Sequence, residues 1–320
     1  VAILLAFLGF GCYAIVMNTV LTSLFILLWN LAGTRLKMSV GDVRGVVRKV
    51  GGFSAFNLGS NLIGWFANNA DSLIVGKLFG AEELGYYNKA YNLYAYPLNI
   101  LTTPITSTLL PFLAPLQGDR DALYRKFMGI FRRISFLSAF CTAWMSVCAS
   151  EVIMILYGET WVPAIPLLTT LSFAVYSRGI NGSFGALLTA KGRSDLLMLS
   201  TGVNTAVTVG MIALGGAMGS VESLATCVSI AYNLEIIAPV LLCSKKCLDM
   251  GFWRFFSRLA PDIVSVLAVV GLASFIPWDI QNVFLSAIVK TVFVGCAMVG
   301  IRVLLGELLW REGISTILPR

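Results

Sequence analysis

The sequence predicts an all-α polytopic membrane protein with about nine complete transmembrane helices. Composition, run length and charge alternation carry that prediction. The 320 residues are 58% hydrophobic and only 12% charged, with a mean hydropathy of +0.84. A soluble domain carries about 25% charged residues. The apolar runs approach the roughly 20 residues that a helix rising about 1.5 Å per residue needs to cross about 30 Å of hydrocarbon. They lack the strict alternation of a transmembrane barrel. The connections between them are basic and acidic in turn, as a chain threading a membrane requires.

Taken in order, Val1 to Leu8 reads as the tail of one span, closed at Gly9-Phe10-Gly11, and Tyr13 to Ala32 as the first complete helix. The next runs from Val46 to Gly64 with an extension to Leu78. Further spans are read over Tyr87 to Leu110, Arg132 to Cys148, Ala164 to Leu188, Leu196 to Gly216 and Leu224 to Leu242. The last two are Pro261 to Pro277 and Val283 to Leu305. Pro97, Pro104 and Pro111 fall within one span at spacings of seven. Each removes a backbone donor, so that helix is expected to bend, either for packing or beside a wet cavity.

The connection from Gly33 to Lys49 holds Arg35, Lys37, Arg44, Arg48 and Lys49 against Asp42. Alternate connections repeat the pattern with Arg120, Arg125, Lys126, Arg132 and Arg133, then Lys191 and Arg193, then Lys245, Lys246, Arg254 and Arg258, and finally Arg311 and Arg320. The intervening ones carry Glu82 and Glu83, Glu151 and Glu159, Glu222, and Asp279. With the basic set cytoplasmic, the C-terminus is cytoplasmic and the chain is a multi-pass protein of a bacterial inner (plasma) membrane. Arg125, Lys126, Arg132 and Arg133 read first as topology determinants and second as contacts for anionic membrane lipids. The net charge of +7 is therefore topological and implies no nucleic-acid partner.

The chain opens on Val1 inside an apolar run with no basic region and no small-residue cleavage site, so a start within a helix of a longer protein is expected and a signal peptide is not. Seven scattered cysteines suggest no disulfide framework. Cys243 and Cys247 are one helical turn apart, but with no histidine in the chain no metal site is expected. The serines stand isolated from any base, so neither a catalytic residue nor a cofactor is expected.

The candidate site residues are polar groups inside apolar runs. Asn57, Asn61 and Asn68 are spaced by four and seven and share a helical face, followed by Asn69 and Asp71. Such a face lines a transport pathway or hydrogen-bonds a neighbouring helix. Asp71, with Lys77, reads as a structural ion pair or an interfacial group before a coupling one. Arg178 and Glu235 are the charges deepest in their runs; turned toward one another they offset part of each other's desolvation. Facing a cavity, Arg178 could instead hold a phosphate in two bonds, with Glu235 as its partner or as a proton site. Lys290 is expected to snorkel, and Asp262 to stabilise free backbone donors at a helix start.

The stretch DSLIVGKLFGAEELGYYNKAY, residues 71–91, resembles the polysaccharide exporters, lipid-linked oligosaccharide flippases of the superfamily that also holds multidrug extruders and lipid II flippases. LLPFLAPLQGD (109–119), LYGETWVPAIPLL (156–168) and LLTAKGR (187–193) support it. The resemblance implies a fragment of a two-lobed transporter of 14 helices, with residues 1–32 a remnant of the N-terminal lobe and 33–49 a cytoplasmic linker. Residues 50–242 then form the C-terminal six-helix lobe and 243–320 two trailing helices and a cytoplasmic tail. It implies export of a polyprenyl-pyrophosphate-linked oligosaccharide, with a polysaccharide polymerase as partner. Asn68 stands where related exporters carry arginine, so Arg178 is the compensating charge. A drug or small-cation extruder built on Glu235, and a non-transporting membrane scaffold, are the alternative functions.

Overall fold

In the computed structural model, the residues described are 13–33, 69–247, 251–278 and 282–304, with isolated positions 7, 9 and 280. All regular structure among them is helical. The chain divides into two compact units, Val1–Ile63 and Gly64–Arg320. In the first, α1 covers Tyr13–Gly33.

The second unit opens with α2 over residues 69–78, then α3 (Ala81–Pro97) and α4 (Thr103–Leu113). A π-helical turn, Leu98–Thr102, joins α3 to α4. There follow α5 (Arg120–Val147), α6 (Ala149–Tyr157), α7 (Ala164–Ala190), α8 (Ser194–Ala217), α9 (Val221–Leu234) and α10 (Ile237–Lys246). The short α11 (Phe252–Phe256) leads to α12 (Ala260–Phe275) and α13 (Val283–Leu304).

The sequence marks these ends chemically. Asp119 caps α5 by accepting from the Ala122 amide at 2.9 Å, and Ser220 caps α9 by accepting from the Ser223 amide at 3.1 Å. LLTAKGR is a helix stop. Gly192, at φ 67°, donates to the Thr189 carbonyl while Arg193 donates to Leu188, both at 2.9 Å, which satisfies the last carbonyls of α7.

The expectation of nine complete spans, as a fragment of a two-lobed 14-helix transporter, is corrected. Among the described residues, three helices are long and apolar enough to cross a membrane: Asp195–Ala217, Val221–Lys245 and Val283–Leu304. A fourth is gained if the bent pair Asp121–Val147 and Ala149–Tyr157 counts as one. The physical reasons are breaks, polarity and length. The run read as Tyr87 to Leu110 is interrupted at Pro97; α7 dilutes its apolar residues with serines, threonines, Asn181 and Arg178; α12 is apolar but 16 residues long. The span proposed from Val46 lies outside the described residues except for α2.

α7 is the axis of the second unit, packed against α3, α4, α5 and α9. One core lies on its later half, where Phe127 and Phe131 of α5, Phe184 of α7 and Phe255 of α11 cluster with neighbouring ring centroids 5.3–6.4 Å apart. The other lies on its first half, where Leu167, Leu168, Leu171 and Val175 meet Tyr87 and Tyr94 of α3 and Leu224 and Val228 of α9. Gly215 lets α8 approach α9, since a β-carbon there would stand 2.7 Å from the Leu224 Cα.

Candidate functional site

Two features of the sequence open a cavity between α3–α4 and α7. The first is the proline pair 97 and 104, which interrupts regular bonding and leaves the wide turn at 98–102 between them. Threonines complete it: Thr102 and Thr103 donate to the Leu98 carbonyl at 2.7 and 3.0 Å. The second is Gly179 and Gly182 on α7, where a β-carbon would press on Thr102 at 3.3 Å and on Thr106 at 3.1 Å respectively. The resulting cavity, about 350 Å³, is walled by Tyr91, Tyr94, Asn99, Thr102, Arg178 and Asn181 among others.

Arg178 enters this cavity in a fixed pose. Its guanidinium lies over the Tyr232 ring at 4.1 Å from the centroid, and its Nε donates to the Tyr94 hydroxyl at 3.3 Å. Nη1 stands 3.5 Å from Glu235 Oε2. Cation–π attraction and the hydroxyl therefore hold the plane, with the carboxylate approaching from one side. Tyr94 and Tyr232 stack at 6.3 Å, and the Tyr91 and Tyr232 hydroxyls bond at 3.2 Å. Glu235 Oε1 accepts from Thr208 of α8 at 2.7 Å. Beside it, Ser177 donates to Asn233 at 2.7 Å.

Of the six residues singled out by sequence, Arg178 and Glu235 come together. Asp71 belongs to the adjoining network: it is buried and accepts from the Tyr87 hydroxyl and the Ser72 amide, both at 2.7 Å. Those bonds stand where the sequence reading offered either an ion pair with Lys77 or an interfacial group. Asn57, Asn61 and Asn68 lie outside the described residues. The tyrosines escaped the sequence reading although their signal is visible. Tyr87, Tyr91 and Tyr94 are spaced by four and three, one face of α3. Tyr232 and Thr208 reach the site from distant segments and leave no local mark.

Two further acids are committed elsewhere. Lys290 does not snorkel: it is buried on α13, 2.6 Å from Glu151 at the start of α6, and Ser286 and Ser150 donate to the same carboxylate at 2.7 and 2.8 Å. Asp262 does more than serve a helix start: it pairs with Arg302 and accepts from Ser135. Outside the spans, Arg193 donates twice to Asp195, at 2.9 and 2.8 Å, and those bonds hold its guanidinium above its ordinary pKa.

Residues 1–166 match the family described as "Polysaccharide biosynthesis protein". The chain belongs to this family. Among curated relatives it is 26% identical over 222 residues to the lipopolysaccharide biosynthesis protein WzxC of Escherichia coli (strain K12), covering 66% of this chain and 44% of that one. It is 30% identical over 182 residues to the amylovoran biosynthesis protein AmsL of Erwinia amylovora, 57% of this chain and 47% of that one. To the teichuronic acid biosynthesis protein TuaB of Bacillus subtilis (strain 168) it is 29% identical over 157 residues, 49% and 32% of the two chains. The chain thus spans about a third to a half of the length of the curated relatives it matches. Its fold is similar to that of a solved lipid II flippase, MurJ in its inward closed conformation, with a TM-score of 0.66 at 12% identity over 89% of this chain and 59% of that one. The resemblance read from residues 71–91 to the polysaccharide-exporter superfamily holds.

Proposed function

We propose that this chain belongs to an exporter that carries a lipid-linked oligosaccharide repeat unit across the bacterial inner membrane for surface polysaccharide biosynthesis. The cavity at Arg178 is a station on its pathway. The observation that carries the reading is a guanidinium on the wall of a cavity that Asn99, Asn181, three threonines and two tyrosines share with Ala95, Leu98 and two glycines. An arginine inside an apolar helix costs about 2.5–3.5 kcal/mol on insertion scales, so its presence there calls for a return in function or pairing. The guanidinium suits an oxyanion, in two parallel bonds, while the amides and hydroxyls suit a sugar's hydroxyl groups. Asn57, Asn61 and Asn68 extend the same pathway in this proposal, and a polysaccharide polymerase is the partner that would receive the cargo. WzxC, AmsL and TuaB, each named for the biosynthesis of a polysaccharide, support the same direction.

A small-cation extruder would need Glu235 accessible to its cargo. Here that carboxylate is buried, accepts from Thr208 and faces Arg178, so a cation would meet a positive charge first. The test compares Arg178→Gln with Arg178→Lys in cells lacking their own exporter, scored as glycan exported per folded membrane protein. The expected outcome is near loss with Gln and partial retention with Lys. Normal export by a well-accumulated Arg178→Gln protein refutes the assignment.

A further inference from the structure

Among the described residues of the second unit three acid–base pairs have a buried acid, and one is built differently. Lys290 and Glu151 are 2.6 Å apart with side chains 9% and 8% exposed, and two serines close the carboxylate. Arg302 and Asp262 are likewise enclosed, with Ser135 on the acid. Arg178 and Glu235 stand 3.5 Å apart, too long for a charge-assisted hydrogen bond, and Arg178 is 29% exposed where Glu235 is 8%.

Each partner also has support that does not depend on the other. The guanidinium is fixed by Tyr232 beneath it and by Tyr94 at Nε, and its Nη2 has no partner among the described residues. The carboxylate is anchored through its other oxygen by Thr208. Glu235 occupies the break between α9 and α10. Pro239, four residues on, has no amide to give the Glu235 carbonyl. The helix Val221–Lys245 lacks that one bond but continues on either side of it, with the Glu235 amide donating to Ala231 at 2.9 Å and the Val240 amide to Ile236 at 3.1 Å.

We propose that Glu235 is an internal stand-in for the anionic group of the ligand. It neutralises Arg178 while the cavity is empty and yields the guanidinium when an oxyanion enters. The carboxylate then rests on Thr208 alone, and the α9–α10 break loses a tie to α7. This inference rests on reading Arg178 as the anion-holding residue. The oxyanion could be the pyrophosphate of a lipid carrier or the carboxylate of an acidic sugar, which share the geometry that two guanidinium nitrogens recognise. A stand-in keeps an unpaired charge out of the empty cavity, where it would be expensive, and lets one anion exchange for another at small net cost.

The test is affinity measured on the protein in nanodiscs with two probes, undecaprenyl pyrophosphate and trigalacturonate, with neutral maltotriose as control. The probe that binds identifies the source of the oxyanion. Glu235→Gln removes the competitor and is expected to tighten binding of that probe about tenfold, a change typical of a close charge pair. Thr208→Val leaves Glu235 dependent on Arg178 and is expected to weaken binding about threefold. Arg178→Gln is expected to remove it. If Arg178→Gln binds like the unaltered protein, the pathway reading itself fails. If Arg178→Gln loses binding while Glu235→Gln is unchanged or weaker, that reading survives and the stand-in is overturned. Should Glu235→Gln fail to accumulate, an unchanged affinity in Thr208→Val overturns it equally. Absence of anionic-probe binding to both the unaltered protein and Glu235→Gln does the same.

Discussion

Lys290→Met puts the closed pair to the test. The substitution keeps the length and removes the charge, stranding Glu151 in a site where both side chains are less than a tenth exposed. Removing one partner of a buried pair costs about 3–5 kcal/mol. The lower end applies here, because Ser286 and Ser150 still donate to the carboxylate. About 3 kcal/mol corresponds to a fall of about 5 °C in the midpoint of thermal inactivation for a chain of this size. Adding Glu151→Gln removes the stranded charge and should recover about 2 kcal/mol of the loss. The assay is the fraction of monodisperse protein surviving a heating series, read by size exclusion in detergent. A single variant within about 1 °C of the unaltered protein, on a scale where about 5 °C is expected, would refute the reasoning. So would a double variant no more stable than Lys290→Met. Either result means that the membrane-facing environment, rather than Glu151, carries the lysine's charge.

Two other expectations are simpler. Gly215→Ala forces α8 from α9, because its β-carbon would meet backbone at Leu224, and should cost about 2 kcal/mol and lower the folded yield. Gly202→Ala on the same helix meets nothing within 4 Å and should be neutral or slightly stabilising; equal yields of the two would refute the close-approach argument. For topology, single cysteines replacing Lys37, Arg125, Arg193, Lys246 and Arg320 in a cysteine-free background should label from the cytoplasm, and those replacing Glu159 and Glu222 from outside. Cytoplasmic labelling at Glu159 or Glu222 would reverse or break the orientation.

Helix positions were largely legible because burial in an all-helical chain leaves long apolar runs. The run read over Ala164 to Leu188 is the helix Ala164–Ala190, and Val283 to Leu305 is Val283–Leu304. The number of complete spans was not legible, because hydropathy averages over breaks. The run read over Arg132 to Cys148 stops where the chain turns by 72° between Val147 and Ala149, with neither proline nor glycine there, but the helix Ala149–Tyr157 beyond the turn was read as a connection. The bend is gripped from outside the segment: Trp144 donates to Thr291 at 2.9 Å on one side and Glu151 holds Lys290 on the other, both on α13. No local pattern could announce contacts made across 147 positions. Glu151 was placed in a loop for the same reason, since an acid's burial depends on a lysine far along the chain.

The site divides along the same line. Arg178 and Glu235 could be singled out because a charge within an apolar run is costly wherever the run packs. Their geometry could not, because it depends on Tyr232 and Thr208 arriving from other helices. Under the proposed function, that geometry separates the transport site from scaffolding. Lys290 and Arg302 are enclosed with acids and serines that leave little for a ligand to gain, whereas Arg178 lines a cavity with Nη2 unpaired among the described residues and Glu235 also bonded to Thr208. A charge buried only to hold helices together is best closed on all sides. On the proposed reading, the pair left half open is the one whose energy a passing anion changes.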